Sequence, residues 1–227
     1  MVLLDLQQDK YVGVGREQMA SLAARVKGWP HVGELPLAES PDGDVRIPNT
    51  RGEAVVGKML AAGMLTTDAS IGKEAKPVEM PRPEAALIEE DLESQPQITC
   101  AHVVRFLWAS ALTTLLLRCR SIESIIAGVE ARNGRARTLG ETLNLDVARR
   151  AVAAFIRLRP LLFGAQDACL YDSLALLRFL SYYGVFPTCV IGVQTGPFGA
   201  HCWVQYQAVV FNDAPEYVRR FTPILAV

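Results

Sequence analysis

The sequence predicts an α+β protein: a small N-terminal unit, then a run of helices, then a cluster of strands near the end of the chain. Three observations predict it. Apolar residues recur at helical spacing through most of residues 100–183. Beyond Gly184 the period changes to two, over Val185–Gln194, Ala200–Tyr206 and Val209–Phe211. Between the front of the chain and these helices lies a polar stretch punctuated by Pro77, Pro81 and Pro83, which reads as a linker. The division expected is therefore 1–66 for the first unit, 67–99 for the linker and 100–227 for the second. Helices placed ahead of an antiparallel strand set are the layout of the α+β class.

The elements follow in order. In residues 1–14 two apolar runs flank a polar turn, which suggests a hairpin. Arg16–Lys27 is an amphipathic helix built on Met19, Leu22, Ala23 and Val26. Residues 28–50 are rich in Gly, Pro and Asp and read as loop, Thr50 caps a helix running to Gly63, and Met64–Thr66 reads as a short strand. Hairpin, helices and closing strand together make a small winged-helix-like unit. Within the linker, Glu89–Asp91 reads as a solvated acidic face. Cys100–Arg120 is strongly apolar, but a membrane span needs about 20 uninterrupted apolar residues. Arg105 and Arg118 interrupt this one, so a buried core helix is expected. Ser121 caps a helix over Ile122–Arg132, and another runs from Leu143 to Leu162, ending near Pro160.

The chemistry gathers after this point. Gln166–Leu180 reads as a helix, with Asp167 as N-cap and Gly184 as its stop. Cys169 then falls in the first turn, where unpaired N–H groups and the helix dipole favour a thiolate. His201 lies on the second strand. Gln207–Ala208 turns the chain, and the return strand delivers Asn212 and Asp213 ahead of Pro215. Taken singly, Cys169 reads as a small buried hydrophobe, His201 as a core histidine and Asp213 as a turn residue. Taken together, a thiol, an imidazole to receive its proton and a carboxylate to orient that imidazole are the parts of a thiol acyl-transfer site. Zinc is the competing use of Cys169, Cys189, His201 and Cys202, but no CxxC or HxxxH spacing supports it, and no metal is expected.

Bulk properties exclude other classes. Half of the residues are hydrophobic, which supports real cores and disfavours disorder. A net charge of −1 leaves no basic stripe, so no nucleic-acid partner is expected. No charged-then-apolar segment opens the chain, and five cysteines form an odd set without framework spacing; a cytoplasmic location is expected. No P-loop motif is present, so any ATP chemistry belongs to a partner, and no cofactor is expected.

The residues around Cys169 resemble a known family. Cys169-Leu170, then Ser173-Leu174-Ala175-Leu176-Leu177-Arg178-Phe179-Leu180, Gly184-Val185, Val190-Ile191-Gly192-Val193, Pro197-Phe198, Ala200-His201, Trp203-Val204 and Asn212-Asp213 are similar to the leader peptidase of lasso-peptide biosynthesis, the B protein of microcin-type pathways. The resemblance implies a transglutaminase-like, papain-related core and removal of the N-terminal leader from a ribosomally made precursor. An ATP-dependent, asparagine-synthetase-like cyclase would then close the macrolactam ring. It implies Cys169 as nucleophile, His201 as general base and later acid, and Asp213 as orienting group. Gln166 is a candidate oxyanion donor beside the Cys169 N–H. Two positions depart from the family pattern. Asp172 shares a helix face with Cys169 and would oppose the thiolate, unless it points to solvent or to a substrate cation. Cys202 faces away from His201 and reads as core.

At the front, Leu4-Asp5-Leu6, Asp9 and Tyr11, with the later Gly63-Met64-Leu65, resemble the RiPP recognition element, which binds a leader as an added strand on a sheet edge. The resemblance implies leader contacts at Leu4, Leu6, Tyr11 and Val12. A small helical cap on the second unit is the other reading of this segment.

Overall fold

The computed structural model describes residues 2–6, 8, 10–26, 29, 49–68, 70–71, 78–87, 97–138, 143–162 and 169–227. The chain forms two units, Met1–Pro77 and Val78–Val227.

The first unit opens with an antiparallel hairpin, β1 (Val2–Asp5) and β2 (Lys10–Gly13), in which Leu3 faces Val12 and Leu4 faces Tyr11. Helix α1 (Arg16–Ala23) follows, shorter than the expected 16–27; the Gln18 side chain accepts the Gly15 N–H at its start. Helix α2 (Asn49–Ala61) packs its far half against α1. Val14, Met19, Leu22, Trp29 and Met59 form the buried core, with Leu3, Val26, Val55 and Val56 around it. The Trp29 indole N–H points at the Met19 sulfur, 3.4 Å away.

The closing strand expected at Met64–Thr66 does not form. Gly63 takes a positive φ of 70° after α2, a conformation open to glycine. That turn brings the Met64 and Leu65 N–H groups back to the Met59 carbonyl, and both side chains join the core. These residues finish a helix instead of starting a ladder. Most of the expected 28–50 loop lies outside the described residues.

The second unit pairs helices with a five-stranded sheet of order β3-β6-β5-β4-β7. Its helices are α3 (Cys100–Cys119), α4 (Ile122–Thr138), α5 (Leu145–Leu158) and α6 (Cys169–Ser181). Thr99 caps α3, and the Asn144 carboxamide oxygen caps α5 by accepting the Asp146 and Val147 N–H groups. Helix α5 buries Ala148, Ala151, Val152, Ala154, Phe155 and Leu158, the stripe of an amphipathic helix. It ends before Pro160 in a 3-10 turn, Arg159–Leu161. Helix α6 is buried nearly all round from Asp172 to Leu180, as befits the central helix of the unit. Gly184, at φ 69°, turns the chain out of it, and the Val185 N–H returns to the Leu180 carbonyl.

Helix α3 departs from the expected buried core helix. Phe106, Ala109, Ser110 and Thr113 are buried, but Val104, Leu107, Trp108 and Leu115 are exposed. Its inner side meets α6, where the Tyr171 hydroxyl donates to the Ser110 carbonyl. It is the one helix among the described residues long and apolar enough to cross a membrane.

The strands are β3 (Ala85–Ala86), β4 (Thr188–Thr195), β5 (Phe198–Tyr206), β6 (Val209–Val210) and β7 (Thr222–Ala226), with a short helix α7 (Pro215–Val218) between the last two. Strand β3 runs parallel to β6, and the other neighbours are antiparallel. Part of the stretch expected as linker therefore belongs to this unit. Residues 78–87 lie along it as a strap: the Gln205 amide donates to the Pro81 carbonyl, Arg219 to that of Pro83, and the Leu87 N–H to that of Val210. Met80 packs against Val190, Trp203, Val210, Val218 and Phe221. Strands β3 and β7 and helix α7 were not expected from the sequence.

Candidate active site

Three elements converge at the tip of α6. The helix presents Cys169 in its first turn, half-buried. Strand β5 presents His201. The segment after β6 presents Asp213, because the two-residue turn Gln207–Ala208, with Gln207 at φ 50°, folds β6 back along β5. The imidazole Nε2 and Asp213 Oδ2 are 2.6 Å apart. The other Asp213 oxygen, Oδ1, accepts the Ala214 N–H at the entrance to α7, so both oxygens are held. With Nε2 committed to Asp213, the opposite ring nitrogen is left for the Cys169 thiol, which hydrogen-bonds to the imidazole.

The electrostatics follow from this geometry. The hydrogen bond from His201 lowers the Cys169 pKa; burial opposes it, and the Cys202 and Leu170 backbone N–H groups reinforce it. Burial alone would lower the His201 pKa, but the bonds to Asp213 and Cys169 outweigh it and raise it from 6.5 to about 9. A thiol pushed down beside an imidazole pushed up favours the thiolate–imidazolium pair.

His201 is boxed by rings. Trp203 stacks on it with a centroid separation of 6.1 Å, Phe221 lies at 5.1 Å and Tyr217 meets it edge-on at 5.0 Å. Opposite His201 in the β4–β5 ladder is Gly192. A Cβ there would come within 2.8 Å of the Trp203 ring, so the glycine admits the indole. The Trp203 N–H donates to Gln205, whose amide reaches the Pro81 and Gln207 carbonyls. The imidazole is thus braced through Trp203 and Gln205 to the 78–87 strap.

Asp172 neither points to solvent nor stands against the thiol as an isolated charge. Its side chain is 4% exposed and receives the Asn212 amide at 2.9 Å and the Arg159 guanidinium at 3.4 Å. Burial raises its pKa, while Asn212 and Arg159 pull it back. Asn212 also donates to Ser173 and accepts the Val204 N–H, and Ser173 donates to the Cys202 carbonyl. Arg159, Ser173 and Gln205 carry these braces, and sequence reasoning missed them; a helix-ending Pro160 marks the turn that carries Arg159, but nothing local marks the partners. Cys202 is buried, 3.7 Å from the Cys189 sulfur, and that contact with burial holds its thiol well above the ordinary range. The reading of Cys202 as core agrees with this.

Gln166 and the expected cap Asp167 lie outside the described residues. The four expected leader contacts divide on the hairpin. Leu4 and Tyr11 are cross-strand neighbours. Val12 faces Leu3, which packs on the core, so by strand alternation Leu4 and Tyr11 lie on the opposite face. Leu6 sits in the turn after β1. Among the described residues, no group of three His, Cys, Asp or Glu side chains could hold a metal ion.

Residues 106–226, just over half of the chain, match the family model of the transglutaminase-like superfamily. Among characterised proteins, the chain is similar to the microcin J25-processing protein McjB of Escherichia coli, 47% identical over 51 residues. The match covers 22% of this chain and about a quarter of that relative's length. No solved structure matches the chain.

Proposed function

The chain belongs to the transglutaminase-like superfamily, and on that premise we propose that it is a cysteine peptidase that removes the leader of a lasso-peptide precursor. The observation that carries the reading is the Cys169–His201–Asp213 arrangement at the tip of α6, with its lowered thiol and raised imidazole. The likeness to a microcin-processing protein supports the substrate class.

In this reading the Cys169 thiolate attacks the scissile carbonyl, and the Cys169 backbone N–H, joined by Gln166, holds the oxyanion. His201 gives its proton to the leaving amine, which is the N-terminus of the core peptide. The neutral imidazole then takes a proton from water, which attacks the thioester and frees the leader as a carboxylic acid. Asp213 keeps the imidazole in its working tautomer throughout.

The first unit supplies the leader site. The hairpin β1–β2 offers sheet edges on which an extended peptide adds a strand, with Leu4, Leu6, Tyr11 and Val12 as side-chain contacts. Docking there raises the local concentration of the scissile bond at Cys169 across the connecting stretch. A separate ATP-dependent cyclase of the asparagine-synthetase type then closes the ring on the released core. All five cysteines are free, which supports a reducing, cytoplasmic setting.

Acyl transfer to an amine, the reaction for which the superfamily is named, shares every step up to the thioester. The test is intact-mass analysis of a lasso-type precursor incubated with the full chain and a primary amine. Leader bearing a free carboxylate supports hydrolysis. Leader joined to the amine, or to another chain, would replace the peptidase reading with a transferase.

A further inference from the structure

Between helices α3, α4 and α6 lies an open-sided cavity of about 200 Å³, the volume of roughly half a dozen water molecules. Leu116, Ile125 and Leu174 give it an apolar wall, and Thr113, Arg132 and Arg178 give it a polar one. Two features of this wall stand without a counterpart.

The first is its charge. Arg132 and Arg178, from α4 and α6, both line the cavity, and no carboxylate among the described residues pairs with either. Burial, then the Arg178 charge, lowers the Arg132 pKa, with the nearby Tyr182 acting in the opposite sense. Two guanidinium groups left facing one cavity repel each other. The second is Thr113, a lining residue whose hydroxyl is buried beneath the wall with no hydrogen-bond partner and would meet a bound molecule by turning about χ1. An orphaned buried hydroxyl is costly and uncommon.

A single ligand answers both. Guanidinium forks match the paired oxygens of a carboxylate or phosphate, a hydroxyl can donate to the same oxyanion, and the leucine and isoleucine side chains accept hydrocarbon. We propose that this cavity binds a small organic anion, a carboxylate or phosphate head on a short apolar body, held by Arg132 and Arg178 with Thr113 donating to the head. The site shares no residue with the Cys169–His201–Asp213 arrangement, so its fate is separate from that of the peptidase reading.

The test is titration of the full chain with hexanoate, hexyl phosphate and hexan-1-ol, read by calorimetry and by thermal shift. Saturable binding of at least one anion is expected, with none of the alcohol at the same concentration. The tighter anion identifies the head group. Arg132→Gln and Arg178→Gln should each weaken binding roughly tenfold or more, and Thr113→Val, which keeps the side-chain shape, should weaken it a few-fold. Thr113→Val decides the matter if an arginine variant does not fold. The proposal is overturned if neither anion binds the wild type, if the alcohol binds as well as the anions, or if the folded variants bind like wild type.

Discussion

The Asn212 side-chain amide donates to Asp172 across 2.9 Å, and this bond ties the helix that carries Cys169 to the residue beside Asp213. Removing it should loosen the carboxylate that orients His201. Asn212→Ala leaves Asp172 with Arg159 alone and strips the Val204 N–H of its acceptor. The expected cost is about 1–3 kcal/mol in urea unfolding, the penalty for unpairing a buried polar group. Activity should fall further than stability explains, and the alkaline limit of the pH profile should shift down as the Asp213–imidazolium bond weakens. A variant that loses stability and keeps the wild-type profile would reduce Asn212 to a structural brace.

The ion pair sets the pH window. Cys169 is lowered and His201 raised to about 9, so at neutral pH Cys169 should react with iodoacetamide faster than an ordinary cysteine. Site-resolved mass spectrometry is needed, because Cys100 and Cys119 are exposed. The stability linked to His201 has a defined sign. Its folded pKa lies above 6.5, so that stability is fully present below 6.5 and is lost as pH rises through about 9. Asp213→Asn should therefore lower the melting temperature relative to wild type at pH 6 and make little difference at pH 10. The opposite order would contradict the assignment.

Gly192 should tolerate no side chain. Gly192→Ala places a methyl group within 2.8 Å of the Trp203 ring and 3.0 Å of Phe221 Cβ. Overpacking of this kind costs about 1–3 kcal/mol. Because Trp203 stacks on His201, peptide cleavage should drop in the fraction that remains folded. Wild-type melting and activity would show that the indole moves away freely.

Gln205 is fully buried and joins Trp203, Pro81 and Gln207. Gln205→Leu leaves those three groups without this partner, at about 1–3 kcal/mol for each one left buried and unpaired. The 78–87 strap should become open to limited proteolysis while the wild-type strap resists it. Equal cleavage of both would show that the strap is held without Gln205.

Much of this was legible because the signals are local. The change from helical to alternating period at Gly184, and the Gln207–Ala208 turn, placed Cys169, His201 and Asp213 on the elements where they occur. The failures have a common cause. Met64 and Leu65 carry the apolar character of a strand, but a positive-φ Gly63 directs them into the first core, and burial outweighs propensity. Strand β3 is two residues long and is held by its pairing with β6, which no periodicity records. Strand β7 (Thr222–Ala226) pairs at the edge of β4, a long-range partner that a five-residue run does not reveal. The braces on Asp172 come from Arg159 and Asn212, far apart in sequence, so neither motif nor spacing reveals them. Helix α3 reads as buried from composition, yet its apolar side chains are divided between the interior and the surface.

The central claim is that Cys169 is the nucleophile of leader removal. The most direct measurement is intact-mass analysis of the precursor after incubation with wild type and with Cys169→Ala, after confirming that both bind the leader equally. Release of leader and core by wild type alone is expected, with a loss of at least about 10²-fold in the variant. Release by Cys169→Ala at the wild-type rate would contradict it.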